Sequence, residues 1–173
     1  LDAGVHVGRK KSSGHPKMKP YLLGIRQGVQ IINVEKVAEA LNTAGEFLKS
    51  VVARNGVVIV VGTKMPAKLL IKDTADRVRM PYVVERWLGG TITNFSIISK
   101  RLEYFLSQEL KKSKGEFEKY TKKEQVLFGR ELDRLEKKIG GIKNLKKLPD
   151  ALLVVDIQAH AGVVREAKIM KIP

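Results

Sequence analysis

The residues best placed to do chemistry in this sequence are its lysines and arginines. The chain has 33 Lys and Arg against 18 Asp and Glu, a formal charge of +15 at pH 7. Such an excess favours a polyanionic partner, with nucleic acid the first candidate. The excess is concentrated in residues 1–30, with a net charge of +5, and in residues 96–147, with +7. These two stretches are therefore the predicted binding regions.

The first basic stretch predicts an N-terminal arm over residues 1–28. It mixes cations with Gly and Pro and has little apolar surface to bury, so we expect it to order on RNA phosphates. The alternative is a solvated tail. His6 and His15 lack a nearby third ligand, so a metal site is not expected. The candidate RNA-binding residues in the arm are Arg9, Lys10, Lys11, His15, Lys17 and Lys19.

The second basic stretch interrupts a strand and helix alternation with two helical apolar stripes. A break near residues 113–115 separates them, and Thr121 followed by Glu124 matches a capping box. We expect an antiparallel helical hairpin that packs mainly on itself and is a separable insertion. Its interleaved acids make part of it an ordinary salt-bridged face, but the net charge indicates RNA or an acidic protein. The candidate RNA-binding residues here are Lys100, Arg101, Lys111, Lys112, Lys122 and Lys123.

Two loops after predicted strands are further candidates. Gly62-Thr63-Lys64 resembles an anion-binding strand, loop and helix junction, although it lacks both nucleotide-phosphate fingerprints. A turn glycine followed by a helix cap is the simpler interpretation. Lys64 is kept as a candidate RNA-binding residue.

The segment from Glu85 to Phe95 contains the single tryptophan beside an arginine, a glycine pair and small polar residues. Its glycines allow close approach of a partner, and Asn94 is suited to cap the next helix. Alternatively the segment is a structural corner in which Trp87 packs against the sheet and Thr91 and Thr93 satisfy loop amides. The candidate RNA-binding residues are Arg86, Trp87 and Asn94.

No catalytic constellation is predicted. Asp150, Asp156 and Glu166 lie near predicted strand ends and are most simply turn, cap and surface residues. The absence of cysteine excludes disulfides and thiolate chemistry. No apolar run approaches the ~18 residues of a spanning helix, so no membrane partner is expected. We expect no cofactor.

The elements that must position these residues follow an α/β pattern. Apolar runs at 29–32, 57–61, 82–84 and 151–155 predict strands, and helical spacing follows three of them. Such alternation favours a parallel sheet covered by helices. The predicted organisation is an arm at 1–28, an α/β core at 29–95 and 140–173, and the helical hairpin at 96–139.

The sequence resembles the bacterial and organellar small-subunit ribosomal protein two family. The resemblance rests on six stretches in family order: residues 4–8, 16–21, 61–64, 86–95, 140–143 and 148–156. Residues 86–95, which read Arg-Trp-Leu-Gly-Gly-Thr-Ile-Thr-Asn-Phe, are the most specific. Arg9 and Gly14 depart from the family, which often has His and an aromatic residue at these positions.

The resemblance implies a flavodoxin-like core with an inserted helical hairpin and no catalytic activity. It also implies binding to small-subunit ribosomal RNA, contacts with neighbouring small-subunit proteins including the large mRNA-binding protein one, and a bacterial cytoplasmic or organellar ribosome. The rival hypothesis is a flavodoxin-like enzyme that binds a nucleotide or flavin near Gly62-Thr63-Lys64 and Arg86-Trp87.

The family continues past the position of Pro173 with a further strand and helix. We therefore expect a native product that extends beyond Pro173. We also expect the 173-residue chain alone to be marginally stable or to self-associate through the apolar run 151–155, which would be an uncovered sheet edge.

Overall fold

The computed structural model describes residues 4–173, without the side chain of Glu118. The chain divides into two compact units, one ending at Ser50 and the other formed by Val51–Pro173. Each unit is described by itself below.

The first unit is built on a three-stranded antiparallel sheet. Its strands are β1 (Val7–Lys10), β2 (Leu22–Arg26) and β3 (Val29–Ile32), in the order β1-β3-β2. Gln27 and Gly28 join β2 to β3 with φ angles of 50° and 77°. Two consecutive positive φ angles are those of the two-residue turn that fits strand twist best. Short 3-10 helices at Lys11–Ser13 and Pro16–Tyr21 connect β1 to β2.

This sheet corrects two predictions. Val29–Ile32 was expected to begin the parallel sheet, but it pairs antiparallel with β1 and β2 instead. The arm was expected to order only on a polyanion, but residues 7–26 form strands and short helices in the protein alone. The physical reason is the turn at Gln27 and Gly28, which folds the end of the arm back onto β3 so that their backbone groups pair.

Helix α1 (Val34–Ala53) follows β3. Asn33 caps it: its Oδ1 accepts hydrogen bonds from the backbone N–H groups of Glu35, at 3.0 Å, and Lys36, at 3.4 Å.

The second unit contains a parallel sheet with helices packed beside it, as the sequence predicts. The strands are β4 (Val58–Val61), β5 (Tyr82–Val83) and β6 (Ala151–Val154), in the order β5-β4-β6. Helix α2 (Met65–Val78) follows β4 and α5 (Ala161–Ile169) follows β6. Val58 and Ile59 of the central strand are both buried, and since neighbouring strand residues point to opposite faces, the strand is covered on both faces.

Two long helices, α3 (Phe95–Ser113) and α4 (Lys122–Ile139), lie between β5 and β6 in the chain. A 3-10 helix at Glu116–Lys119 lies between them. The predicted capping box is confirmed, since Thr121 and Glu124 exchange side-chain to backbone hydrogen bonds.

These helices pack on the sheet as well as on each other, which differs from the expectation. Leu102 and Phe105 of α3 and Leu132 and Ile139 of α4 are buried in the same apolar cluster as Ile59 of β4. The ends of both helices nearest the sheet therefore belong to the main core.

The 3-10 helix Gly140–Ile142 follows α4 and passes very close to β5. A Cβ atom on Gly141 would overlap the carbonyl oxygen of Tyr82 and would lie 2.8 Å from its ring. Because a strand carbonyl cannot move aside without breaking the sheet, only glycine fits here.

We expect Gly141→Ala to lower the free energy of unfolding by about 1–3 kcal/mol through overpacking. Gly129→Ala is the matched control, because a Cβ on Gly129, inside α4, would meet no atom within 4 Å. That substitution should raise stability by about 0.5–1 kcal/mol through helix propensity. Urea denaturation of both variants checks the prediction, and equal effects of the same sign would contradict it.

Candidate nucleic-acid interface

The cations of the first unit lie on ordered backbone. Arg9 and Lys10 are in β1, Lys11 begins the first 3-10 helix, and Lys17 and Lys19 are in the second. All five side chains are exposed. Their backbone is held locally, for example by the bond from the Lys11 N–H to the Gly28 carbonyl at 2.9 Å. We call these five residues the basic strip.

His15 has a local structural role in this unit. Its Nδ1 accepts a hydrogen bond from the backbone N–H of Lys17 at 3.2 Å, which caps the second 3-10 helix. With Nδ1 used as this acceptor, the ring edge that carries Nε2 remains exposed.

Lys64, at the carboxyl end of β4, forms an ion pair with Asp156 after β6. The bond from Lys64, together with the backbone N–H groups of Ala159 and Gln158, lowers the pKa of Asp156 to about 2. Asp156 is therefore a charged turn residue, as predicted, and Lys64 already has an anionic partner within the protein.

His160 links the same two loops, a role that has no signal in the sequence. Its Nδ1 lies 2.8 Å from the Asp156 carbonyl, and its Nε2 lies 3.1 Å from Thr63 Oγ1 and 3.3 Å from Thr63 N. A carbonyl can only accept, so Nδ1 carries the proton and Nε2 accepts from the Thr63 backbone. The ring is buried. It joins the carboxyl ends of β4 and β6.

The loop from Trp87 to Thr93 is organised by one carboxylate, that of Glu166 in α5. Its Oε1 accepts from Trp87 Nε1 and Gly90 N, each at 2.9 Å. Its Oε2 accepts from Ile92 N at 3.1 Å and from the N and Oγ1 of Thr93 at 3.2 and 3.1 Å. Five donors therefore converge on one side chain that is only 9% exposed.

The prediction that Glu166 is a surface residue is wrong. Burial raises the pKa of Glu166, but the hydrogen bonds from Trp87, Gly90, Ile92 and Thr93 outweigh burial and hold that pKa below its usual value. The buried carboxylate of Glu166 thus accepts the hydrogen bonds that the backbone amides of this loop would otherwise donate to water. A lone Glu on a helix face gives no sequence signal for this role.

Most other residues of this loop have the roles expected of a structural corner. Trp87 is half-buried and packs against the core, Thr93 bonds to Glu166, and Thr91 Oγ1 donates to the Leu88 carbonyl at 2.6 Å. Asn94 precedes α3 as predicted, but its side chain makes no capping bond. Arg86 is exposed.

The cations of α3 and α4 fall into two groups. Lys100 and Arg101 lie in the first half of α3, while Lys111 and Lys112 end α3 and Lys122 and Lys123 begin α4. All six side chains are exposed. The last four lie on either side of the short connection between the helices.

A basic groove that sequence reasoning missed lies in the second unit. It has a volume of about 970 Å³ and includes Pro81 and Tyr82 at the start of β5 and the Gly140-Gly141 turn. Its cations are Lys72, Arg79, Lys143, Lys146 and Lys147. Lys143 pairs with Glu109 and Lys147 pairs with Asp150. These cations come from two distant parts of the sequence, residues 72–79 and 143–147, so no single charge run predicts the groove.

Residues 4–173 contain no group of three or more His, Asp or Glu arranged to hold a metal ion. In the same range no helix is long and apolar enough to cross a membrane.

The strand-end loops of this α/β protein are hydrogen-bonded to its own side chains, and its excess charge lies on exposed cations. These are the features of a structural binding protein. The chain belongs to the ribosomal protein S2 family, whose model matches residues 1–173. Small ribosomal subunit protein uS2 of Hahella chejuensis (strain KCTC 2396) is 42% identical over 173 residues, covering 100% of this chain and 68% of that protein.

The protein is therefore a structural component of the small ribosomal subunit and not an enzyme. The rival hypothesis of a flavin- or nucleotide-binding enzyme has no support from either comparison. The resemblance drawn from the sequence motifs is confirmed.

Proposed function

We propose that this protein binds small-subunit ribosomal RNA through the basic strip and through the cations of α3 and α4, with the sheet as a scaffold. The observation that carries the proposal is the basic strip, in which five exposed cations lie within eleven residues of ordered backbone. Cations fixed in this way lose less conformational entropy on binding than cations on a disordered arm.

The RNA groups bound should be mostly phosphate and sugar, because the cations are spread over the surface and aromatic residues make up only 6% of the chain. Recognition then depends on the shape of folded RNA more than on its sequence. Lys64 contributes less than an unpaired lysine would, since its ion pair with Asp156 must first be broken. Arg86, Trp87 and Asn94 remain candidate RNA-binding residues of the second unit.

We also propose that the second unit is flavodoxin-like and that residues 96–139 are an inserted antiparallel helical hairpin. The order β5-β4-β6 supports the first point, because the first strand lies between the second and third as in the flavodoxin-like order 2-1-3-4-5. The Tyr104 to Glu131 hydrogen bond supports the second point, since it joins the middle of α3 to the middle of α4.

The proposed partners are small-subunit ribosomal RNA and neighbouring small-subunit proteins, including the large mRNA-binding protein one. The proposed location is a bacterial cytoplasmic or an organellar ribosome. Co-sedimentation tests the role directly: the protein should move with small subunits reconstituted without their own copy. Failure to co-sediment at low salt would contradict the proposal.

The extent of the hairpin can be tested by deletion. Replacing residues 99–138 by a Gly-Ser linker removes Leu102, Phe105 and Leu132 from the core, at about 2–5 kcal/mol each. That cost is comparable to the whole stability of a typical domain, so we expect cooperative thermal unfolding to disappear.

Replacing only residues 107–130 is the matched control, because it keeps all three core side chains. We expect this shorter deletion to unfold cooperatively. Cooperative unfolding of the longer deletion would show instead that the hairpin packs only on itself.

A further inference from the structure

Three aromatic rings cluster where α3 connects to α4. Phe117 stacks on Phe128 with ring centroids 5.4 Å apart. Tyr120 lies 5.2 Å from Phe128 and 6.4 Å from Phe117, tilted against both rings. The chain has few aromatic residues, so the placement of three of them around one short connection is unusual.

Tyr120 differs from the other two rings in its exposure. Tyr120 is 48% exposed, whereas Phe117 and Phe128 are half-buried. Its backbone is fixed on both sides: the Tyr120 N–H donates to the Phe117 carbonyl at 3.1 Å, and Gln125 Nε2 donates to the Tyr120 carbonyl at 3.0 Å. The Thr121 capping box follows at once. The ring is thus held in place while much of its surface faces solvent.

The segment around Tyr120 is net basic, since residues 111–124 hold six lysines against the three acids Glu116, Glu118 and Glu124. The exposed lysines in this connection and the adjoining helix ends are Lys111, Lys112, Lys114, Lys119, Lys122 and Lys123. None of the six forms an ion pair with a side chain that the structure describes. Glu124, the nearest acid in α4, is occupied by the Thr121 cap. A cluster needed only for packing would require neither an exposed ring nor a surround of cations.

We propose that Tyr120 is a stacking platform for an unpaired base of small-subunit ribosomal RNA, with the flanking lysines holding the phosphates on either side. This inference rests on the proposed RNA-binding function. An immobilised aromatic ring beside lysines is the arrangement with which proteins bind single-stranded RNA, because every base has a π-face that can stack. An acidic protein would use the lysines but would not need the ring.

The test compares substitutions at Tyr120 for binding to a small-subunit rRNA transcript at fixed salt. Tyr120→Ala should weaken binding about 5- to 150-fold, the range expected when one base no longer stacks. Tyr120→Phe should retain wild-type affinity. Tyr120→Leu, which keeps apolar packing on Phe128 but has no π-face, should resemble the alanine variant. The salt dependence of binding should be unchanged in all three.

The matched control is Tyr104→Ala in α3. Tyr104 is 45% exposed, about as much as Tyr120, but its hydroxyl bonds to Glu131 of α4 and it lies outside the connection between the helices. This variant should bind RNA like the wild type. Equal unfolding midpoints for all the variants would confirm that the fold is retained.

Two results would overturn the inference. Unchanged RNA affinity in Tyr120→Ala would show that the ring does not bind RNA and would favour an acidic protein as the partner of the connection. Wild-type affinity in Tyr120→Leu would show that the ring contributes only apolar packing. Failure of the wild-type protein to bind the transcript would instead overturn the proposed function. A reduced salt dependence in the double variant Lys122→Ala and Lys123→Ala, together with wild-type affinity in Tyr120→Ala, would support the proposed RNA binding and contradict the stacking role of Tyr120.

Discussion

Glu166→Ala is expected to lower the free energy of unfolding by about 3–5 kcal/mol, because it leaves several partly buried donors without an acceptor. Those donors are the Trp87 indole, the backbone N–H groups of Gly90, Ile92 and Thr93, and the Thr93 hydroxyl. Trp87 is the only tryptophan, so its fluorescence reports this loop alone. Urea unfolding and the emission maximum of Trp87 together measure the effect, and a shift to longer wavelength is expected.

Glu103→Ala, on the exposed side of α3, is the control and should change neither quantity. The stability of Glu166→Gln should lie between those of Glu166→Ala and Glu103→Ala. Its amide carbonyl accepts hydrogen bonds, but its NH₂ group faces other donors. An Ala variant as stable as the control would show that water replaces the carboxylate.

Acid provides an independent check on Glu166. Its pKa in the folded protein is below the usual value, so the stabilisation is complete above the unfolded pKa of about 4.3 and disappears as the pH falls through the folded value. The wild type should therefore lose stability on acidification below about pH 4.3, and Glu166→Ala should lose less. Equal losses of stability in the wild type and in Glu166→Ala would show that the Glu166 carboxylate does not stabilise the loop.

Removal of the basic strip should have the largest effect on RNA binding. Replacing Arg9, Lys10, Lys11, Lys17 and Lys19 with Ala should flatten the dependence of log affinity on log salt by about 0.7–0.9 for each phosphate that is no longer bound. If all five residues bind phosphate, affinity in 0.15 M salt should fall about a thousand-fold. Filter binding of a small-subunit rRNA transcript across a salt series measures both quantities.

The control for this variant removes the same charge elsewhere. Its substitutions to Ala are at Lys49, Arg77, Arg165, Lys168 and Lys171, which are exposed and outside the proposed interface. If only net charge mattered, the two variants would lose the same salt dependence of RNA binding. If the interface is specific, the control variant should keep most of its salt dependence. An unchanged salt slope in the strip variant would refute phosphate binding by these residues.

The parallel sheet was predictable because its strands are continuous apolar runs, and the helix caps were predictable because they follow short local patterns. Asn33 and the pair Thr121 and Glu124 show this, since each cap involves residues two or three positions apart. The first sheet was missed because a lysine-rich segment with Gly and Pro looks like a tail. The Gln27-Gly28 turn is a weak form of the usual Asn-Gly signal.

The site was less predictable than the fold because its main hydrogen bonds are long-range. Glu166 and Trp87 are 79 positions apart, and His160 and Thr63 are 97 apart. Nothing near Glu166 in the sequence distinguishes it from an ordinary exposed helix residue. The charge runs were visible, but which lysines have partners depends on the fold, as the pairs of Lys64 and Lys143 show.

The pairing of β4 with β6 has a consequence for how the chain acquires its structure during synthesis. Val58 pairs with Ala151, 93 residues later, with both long helices in the intervening loop. Closing so large a loop is entropically costly, and pairings between distant segments are slow to form. The antiparallel sheet at residues 7–32 needs only local pairing, so it can fold while translation is still in progress. One edge of the strand Val58–Val61 can pair early with β5, but its other edge must wait for residues 151–154, and until then that edge is available to chaperones or to aggregation.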